Sequence, residues 1–451
     1  ICLGRAHVYH NLGCQFYAVA VAGLGPDGVG YNRREFINEC KENVRIAASV
    51  GVRALLNMGV TDIMVEGLSN AEAAAEGAAL ALWEYDGHKN LLALYDDPDC
   101  RRYLRYVPSD GWEKGLRKAE AQNFARKLED APSNLMTPSA FSRHVIEELC
   151  PCNVQVDVRE KDWLQDKCWT AFLSMAKGSC EPPIVLEIAY CGGAQDDRPV
   201  VLIGKGITYD SGGLCLRHGT DMSEYRADMA GAAVIVATIK ALASLSIPIN
   251  VNAMIPLCEN MPGGMAPKPG DVVHCHNGKT IRLQDTSKLD RVILADPLAY
   301  SANYKPCLTI TIATLTSGMR TALGASSTGV FTTSDVVWDE LCRAGAETGD
   351  RVWRFPLWNY FTKHMTDTSA VDVCNVGLGL GGEPCRGAAF LMEFAPRTDF
   401  VHMDITGTGM VSSGLGYPYL REGTMTGRPT RTLVQFLYQM SCPTDKCPAE
   451  C

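Results

Sequence analysis

Apolar positions recur along this chain in two rhythms. Short apolar runs bounded by glycine or polar turns predict strands at 16–22, 61–66, 154–158, 184–190, 200–203, 249–255, 307–313 and 400–405. Between them the spacing becomes helical. Segment 34–50 sets Phe36, Ile37, Cys40, Val44, Ile46 and Ala47 at helical intervals, and a capping box at Ser69–Glu72 opens a helix over 71–85. Segment 112–130, rich in Ala, Lys, Arg and Glu, predicts one long helix stopped by Pro132; further helices follow over 138–149, over 231–244 and after Asp335. Strands alternating with helices predict an α/β protein with a mixed or mostly parallel sheet. Its site is then expected beyond the carboxyl ends of the strands.

The pattern divides the chain into a smaller α/β domain over 1–110, a connecting helix over 111–133 and a larger domain over 134–451. The first domain carries no catalytic constellation. The chemistry concentrates in 201–298, which reads VLIGKGITYDSGG, YRADMAGAA, PLCENMPGG, KPGDVV and NGKTIRLQDTSKLDRVILAD. Lys205, Asp210 and Asp228 come from separate elements, and a lysine with two aspartates can converge on a hard or borderline cation.

These stretches, with ATLTSGM further on, closely resemble the leucyl aminopeptidase family of two-metal peptidases. The resemblance runs from about residue 123 to 436 and weakly into the first hundred residues. It implies a macro-like N-terminal α/β domain and a larger mixed-sheet α/β aminopeptidase domain. It also implies a five-ligand, two-metal centre with one catalytic lysine and one catalytic arginine. By matching motifs, the lysine ligand falls on Lys205, the bridging aspartate on Asp210 and the next aspartate ligand on Asp228. The catalytic-lysine position holds Arg217. The family's asparagine-threonine-aspartate-alanine-glutamate-glycine-arginine motif falls on Asp285 to Arg291. An aspartate ligand has therefore become Ser287, the bridging glutamate has become Leu289, and the catalytic arginine is kept as Arg291.

Such losses predict no metal, or one residual divalent ion (zinc or manganese) at Lys205, Asp210 and Asp228. One carboxylate and water cannot hold a second ion tightly. Lys288 is expected to add positive charge beside the site. Asp285 and Asp290 lie near, but on an extended segment a shift of one residue turns a side chain to the other face, so neither is expected to substitute. Tyr225 falls where the family lines its specificity pocket and should partly fill it. The expected function is a catalytically inactive, structural or assembly component. An aminopeptidase with a reduced metal site and a regulatory subunit paired with an active paralogue stay open. The resemblance further implies a hexamer of self or paralogous subunits. Degenerate members resembling this chain are abundant insect sperm proteins, which suggests a mitochondrial derivative, with the cytoplasm as alternative.

Composition narrows the class. The chain has 451 residues, 46% hydrophobic and 21% charged, with a net charge of −9. That charge argues against nucleic-acid partners, and no apolar run is long enough to predict membrane insertion. The first residue is Ile1, which leaves room for a cleaved targeting segment. Cysteines number 19. Cys168, Cys191, Cys215, Cys258, Cys307 and Cys374 sit in apolar stretches and read as small buried thiols. Cys442, Cys447 and Cys451 crowd a polar tail and suggest disulfides. His274 and His276 share a strand face but lack a third ligand, and read as structural. The glycine-rich stretch 377–382 reads as a mobile loop over the substrate cleft.

Overall fold

The computed structural model describes residues 1–12, 16–85, 103–217 and 222–441. Its centre is a nine-stranded mixed sheet. In chain order the strands are β1 (Gln155–Arg159), β2 (Ile184–Cys191), β3 (Val200–Gly204), β4 (Gly206–Asp210), β5 (Asn250–Asn260), β6 (Leu308–Ala313), β7 (Thr328–Thr332), β8 (Val352–Arg354) and β9 (Asp399–Asp404). The spatial order is β8-β7-β9-β6-β3-β5-β2-β1, with β4 paired to β5. Strands β9, β6, β3 and β5 run parallel, as does β4 against β5. Strands β7 and β2 enter antiparallel on either side.

The central strands are largely apolar and buried because both faces are covered, with Thr309 and Thr311 of β6 and His402 of β9 among the buried polar exceptions. One face packs on the helix Ala230–Ser244, whose small residues let its backbone press against the sheet. A Cβ at Gly231 would lie 2.1 Å from the Ile312 carbonyl oxygen, so only glycine fits that approach. The opposite face buries Val201, Ile203 and Met254 with the segments around Trp169, Leu289 and Phe390.

The N-terminal region packs α1 (Glu39–Leu56) and α2 (Ala71–Leu82) beneath a short hairpin, Ala6–His10 with Ala18–Ala22. The helix expected from residue 34 begins at 39, because Asn38 caps it and accepts from the Lys41 amide. The cap of α2 is Asn70 rather than Ser69. The long helix α3 (Trp112–Asp130) lies where 112–130 was expected. A buried ion-pair network ties these helices to α4 (Thr430–Ser441): Glu76 takes Arg45 at 2.6 Å and Arg431 at 2.6 Å, and Lys118 pairs with Glu72. Burial alone would raise the Glu76 carboxyl; Arg45, Arg431 and Lys118 outweigh it and hold the pKa below its ordinary value.

The cysteine expectation holds in part. Cys258 and Cys374 are buried, but Cys168, Cys191 and Cys307 are exposed and Cys215 is half-buried. Cys191 and Cys307 fall at strand ends rather than inside them, and Cys168 sits in a turn at φ 56°. No disulfide forms among the described residues. The tail thiols Cys442, Cys447 and Cys451 lie outside them. No described helix is long and apolar enough to cross a membrane.

Candidate active site and metal centre

Four strand ends converge. Lys205 follows β3, Asp210 closes β4, Asn260 closes β5 and Thr314 follows β6. These strands are parallel neighbours, so their carboxyl ends open on one edge of the sheet. Asp228 arrives from the turn before the helix Ala230–Ser244. Asp290 and Arg291 arrive on the segment after β5. That segment is pinned: the Thr286 hydroxyl donates to the Gly212 carbonyl (2.9 Å) and accepts from the Cys215 amide (2.8 Å). The Asn260 amide group donates both to Asp210 Oδ1 (2.7 Å) and to the Thr286 carbonyl (3.1 Å).

At the centre three carboxylates meet two cations. Lys205 Nζ lies 2.7 Å from Asp228 Oδ1 and 2.8 Å from Asp290 Oδ1, and donates to the Thr314 carbonyl at 2.6 Å. Arg217 Nε donates to Asp210 Oδ2 at 2.9 Å, with Nη2 reinforcing that pair. The same Nη2 reaches Asp290 Oδ2 at 3.1 Å. The Tyr225 ring covers the guanidinium, 4.5 Å from ring centre to the guanidinium carbon. Tyr225 therefore caps Arg217 as well as occupying the position expected to line the pocket.

The segment Asp285–Arg291 corrects one expectation. It is not extended there. Residues Thr286–Lys288 form a 3₁₀ turn started by Asp285, which accepts from the Ser287 amide (2.9 Å) and hydroxyl (2.7 Å). Leu289 continues in helical geometry and is fully buried in the apolar core. Ser287 thus spends its hydroxyl on Asp285, and Leu289 faces away from the cluster. Asp290, which was not expected to face the site, brings its carboxylate into it. Lys288 also differs from expectation, because Glu383 neutralises it at 2.9 Å. Arg291 is buried, donates to the Asn375 carbonyl at 2.7 Å and has Glu383 at 3.7 Å.

Electrostatics follow from this geometry. Burial, then repulsion by Asp290, pushes the Asp210 carboxyl up to about 7 despite Arg217. Burial likewise raises Asp228 against the pull of Lys205. Burial opposes ionisation of Asp290 too, but Lys205 and Arg217 outweigh it and lower its pKa. Burial would lower the Lys205 ammonium; Asp228, Asp290 and Asp210 hold it up instead, so it stays a cation.

The donor set decides what metal could sit here. Oxygens of Asp210, Asp228 and Asp290 all lie within 4.8 Å of one another, near enough for one hard cation to touch all three. Asp228 Oδ2 is buried without a hydrogen-bond partner. Asp290 Oδ1 likewise accepts no hydrogen bond, although the Lys205 ammonium lies 2.8 Å from it; the remaining oxygens are engaged by Lys205, Arg217, Asn260, Thr314 or the Gly212 amide. Two divalent ions do not fit. Ser287 and Leu289 offer no carboxylate, and an ammonium and a guanidinium stand among the oxygens that remain.

Sequence reasoning set Asp290 aside and missed Asn260, Thr314 and Glu383. Asn260 and Thr314 lie inside the motifs PLCENMPGG and ATLTSGM. His276 Nδ1 donates to the Lys167 carbonyl (2.7 Å) and takes no part in the site. The 377–382 loop is tied down, with Arg386 donating to the carbonyls of Leu378 (3.1 Å) and Gly379 (3.0 Å).

Known proteins agree with this architecture. The profile of the cytosol aminopeptidase family, catalytic domain, matches residues 123–434, and that of its N-terminal domain matches residues 3–90. Cytosol aminopeptidase of Xenopus tropicalis is 42% identical over 442 residues, which covers 97% of this chain and 84% of that protein. The Homo sapiens enzyme is 42% identical over 447 residues with the same coverage, and that of Dictyostelium discoideum is 38% identical over 446 residues. Among solved structures, the bottromycin maturation enzyme BotP in complex with Mn superposes with a TM-score of 0.87 at 29% identity, covering 97% of this chain and 94% of that one.

Proposed function

The chain belongs to the cytosol aminopeptidase family, and from that premise we propose that it is a non-hydrolysing member serving as a structural, self-assembling component. One observation carries the reading: Leu289 is packed in the core and Ser287 is bonded to Asp285, so neither replaces a lost metal ligand. Two-metal hydrolysis needs both ions to clamp the carbonyl and the attacking water. Arg217 is locked between Asp210 and Asp290 and is not free to polarise a substrate. Removing one transition-state contact of this kind costs about 10²–10³ in rate.

The test is leucine-anilide turnover with added manganese, zinc or cobalt. No turnover above buffer is expected. Turnover on the order of 10 per second, an ordinary enzyme rate, would overturn the reading.

A second reading has one observation in its favour. The three gathered carboxylates and the free Asp228 Oδ2 suit a single divalent ion, and BotP is named as a manganese complex. A one-metal aminopeptidase would show turnover that rises with manganese and disappears in Asp290→Asn.

A further inference from the structure

We propose that the family's metal centre is replaced in this chain by a metal-independent ion-pair cluster: the Arg217 guanidinium and the Lys205 ammonium stand in for the divalent ions, and Asp290 is the counter-ion they share. This rests on the non-hydrolysing reading but makes a separate claim, about what holds the carboxylates together. Three carboxylates packed at the end of a sheet repel one another unless cations lie between them or protons neutralise them. In a metalloprotein the ions do this, and chelation leaves the carboxylates uncompensated. Here the chain supplies both cations. Lys205 joins Asp228 to Asp290 at 2.7 and 2.8 Å, and Arg217 joins Asp210 to Asp290.

Two changes work together. The position of the family's catalytic lysine holds Arg217, whose planar fork can meet two carboxylates at once. The glycine before the catalytic arginine has become Asp290, which supplies the second of them. Arg217 is also fixed from outside: its amide donates to the Ser211 carbonyl at 2.9 Å and Tyr225 covers its exposed face. A divalent ion contacting Asp228 Oδ1 and Asp290 Oδ1 would meet the Lys205 ammonium at the same two oxygens. The ion therefore enters only if Lys205 leaves or loses its proton. Asp290 and Arg217 are positioning residues of a structural cluster, not catalytic ones.

The experiment uses the full chain. Metal content is measured on the purified protein, and melting is followed in EDTA and in excess manganese chloride. The unmodified chain is expected to hold less than about 0.1 metal per chain and to melt at the same temperature in both, within about 1 °C. Arg217→Met leaves three carboxylates with one cation. It should melt on the order of 5 °C lower in EDTA and recover part of that with manganese. Asp290→Asn should also melt lower but gain nothing from manganese. A chelator-induced drop on the order of 5 °C in the unmodified chain, reversed by manganese, would overturn the proposal, as would about one bound metal per chain. Arg217→Met that folds and ignores manganese would overturn it too. If that variant does not fold, the metal content and chelator response of the unmodified chain decide. Manganese-driven turnover with chelator-insensitive melting would sink the non-hydrolysing reading and leave this cluster standing; no turnover with metal-dependent melting would do the reverse.

Discussion

Leu289→Glu restores, in name, the carboxylate that bridges both metals in the family. The structure predicts that it damages the protein instead. Leu289 is fully buried beside Val292, Ile293 and Leu294, and its carbonyl accepts the Val292 amide at 2.8 Å to start the next turn. Removing a buried leucine forfeits about 1.5–3 kcal/mol of apolar burial. The new carboxylate then has two choices. Left in the core it is an unpaired polar group costing about 1–3 kcal/mol even when protonated. Swung toward the cluster it becomes a fourth carboxylate beside Asp210, Asp228 and Asp290, whose two cations are already shared. The first route totals about 2.5–6 kcal/mol, against about 5–15 kcal/mol for the stability of a domain, and the second adds like-charge repulsion to the lost burial. Guanidinium denaturation should show the midpoint fall, with and without manganese. Adding Asp290→Gly vacates the space the family leaves open at that position. The double variant should recover part of the loss and become more stable with manganese. Leu289→Glu as stable as the unmodified chain within about 0.5 kcal/mol would refute the placement of Leu289 in the core.

Burial pushes the pKa of His402, which hydrogen-bonds Thr311 at 2.9 Å and stacks on Phe331, down to about 3. Between its unfolded value near 6.5 and that folded value the unfolded chain binds a proton the native one does not, so stability falls as pH drops through this window, at up to about 1.4 kcal/mol per pH unit. His402→Gln should flatten the slope of stability against pH by about one proton between pH 4 and 6, and an unchanged slope would remove the assignment. Self-assembly as a hexamer should give a light-scattering mass six times the 49.0 kDa of one chain, and a monomer at micromolar concentration would refute it.

Much of the fold was legible because its signals are local. The short apolar runs predicted as strands became β2, β3, β5, β6 and β9, and α3 ends before Pro132 as expected. The helix start that slipped, at Asn38, and the cap that fell on Asn70 instead of Ser69 depended on which of several capping side chains reached an amide. The absence of a carboxylate at Ser287 and Leu289 was equally local, since a hydroxyl and an alkyl group carry no charge wherever they point.

Charge compensation was different, because it is a relation between distant residues. Register placed Asp290 at a glycine position, and an extended backbone would have turned it from the site. The backbone makes a 3₁₀ turn instead, where successive side chains are about 120° apart rather than opposed. Leu289 could then enter the core while Asp290 entered the cluster. Lys205, Asp210, Arg217, Asp228 and Asp290 span 86 positions of sequence, and neither cation reads as a counter-ion in its own segment. Their pairing was decided where parallel strand ends and one pinned turn bring the five charges within hydrogen-bond reach, because Coulomb interaction depends on separation in space and not along the chain.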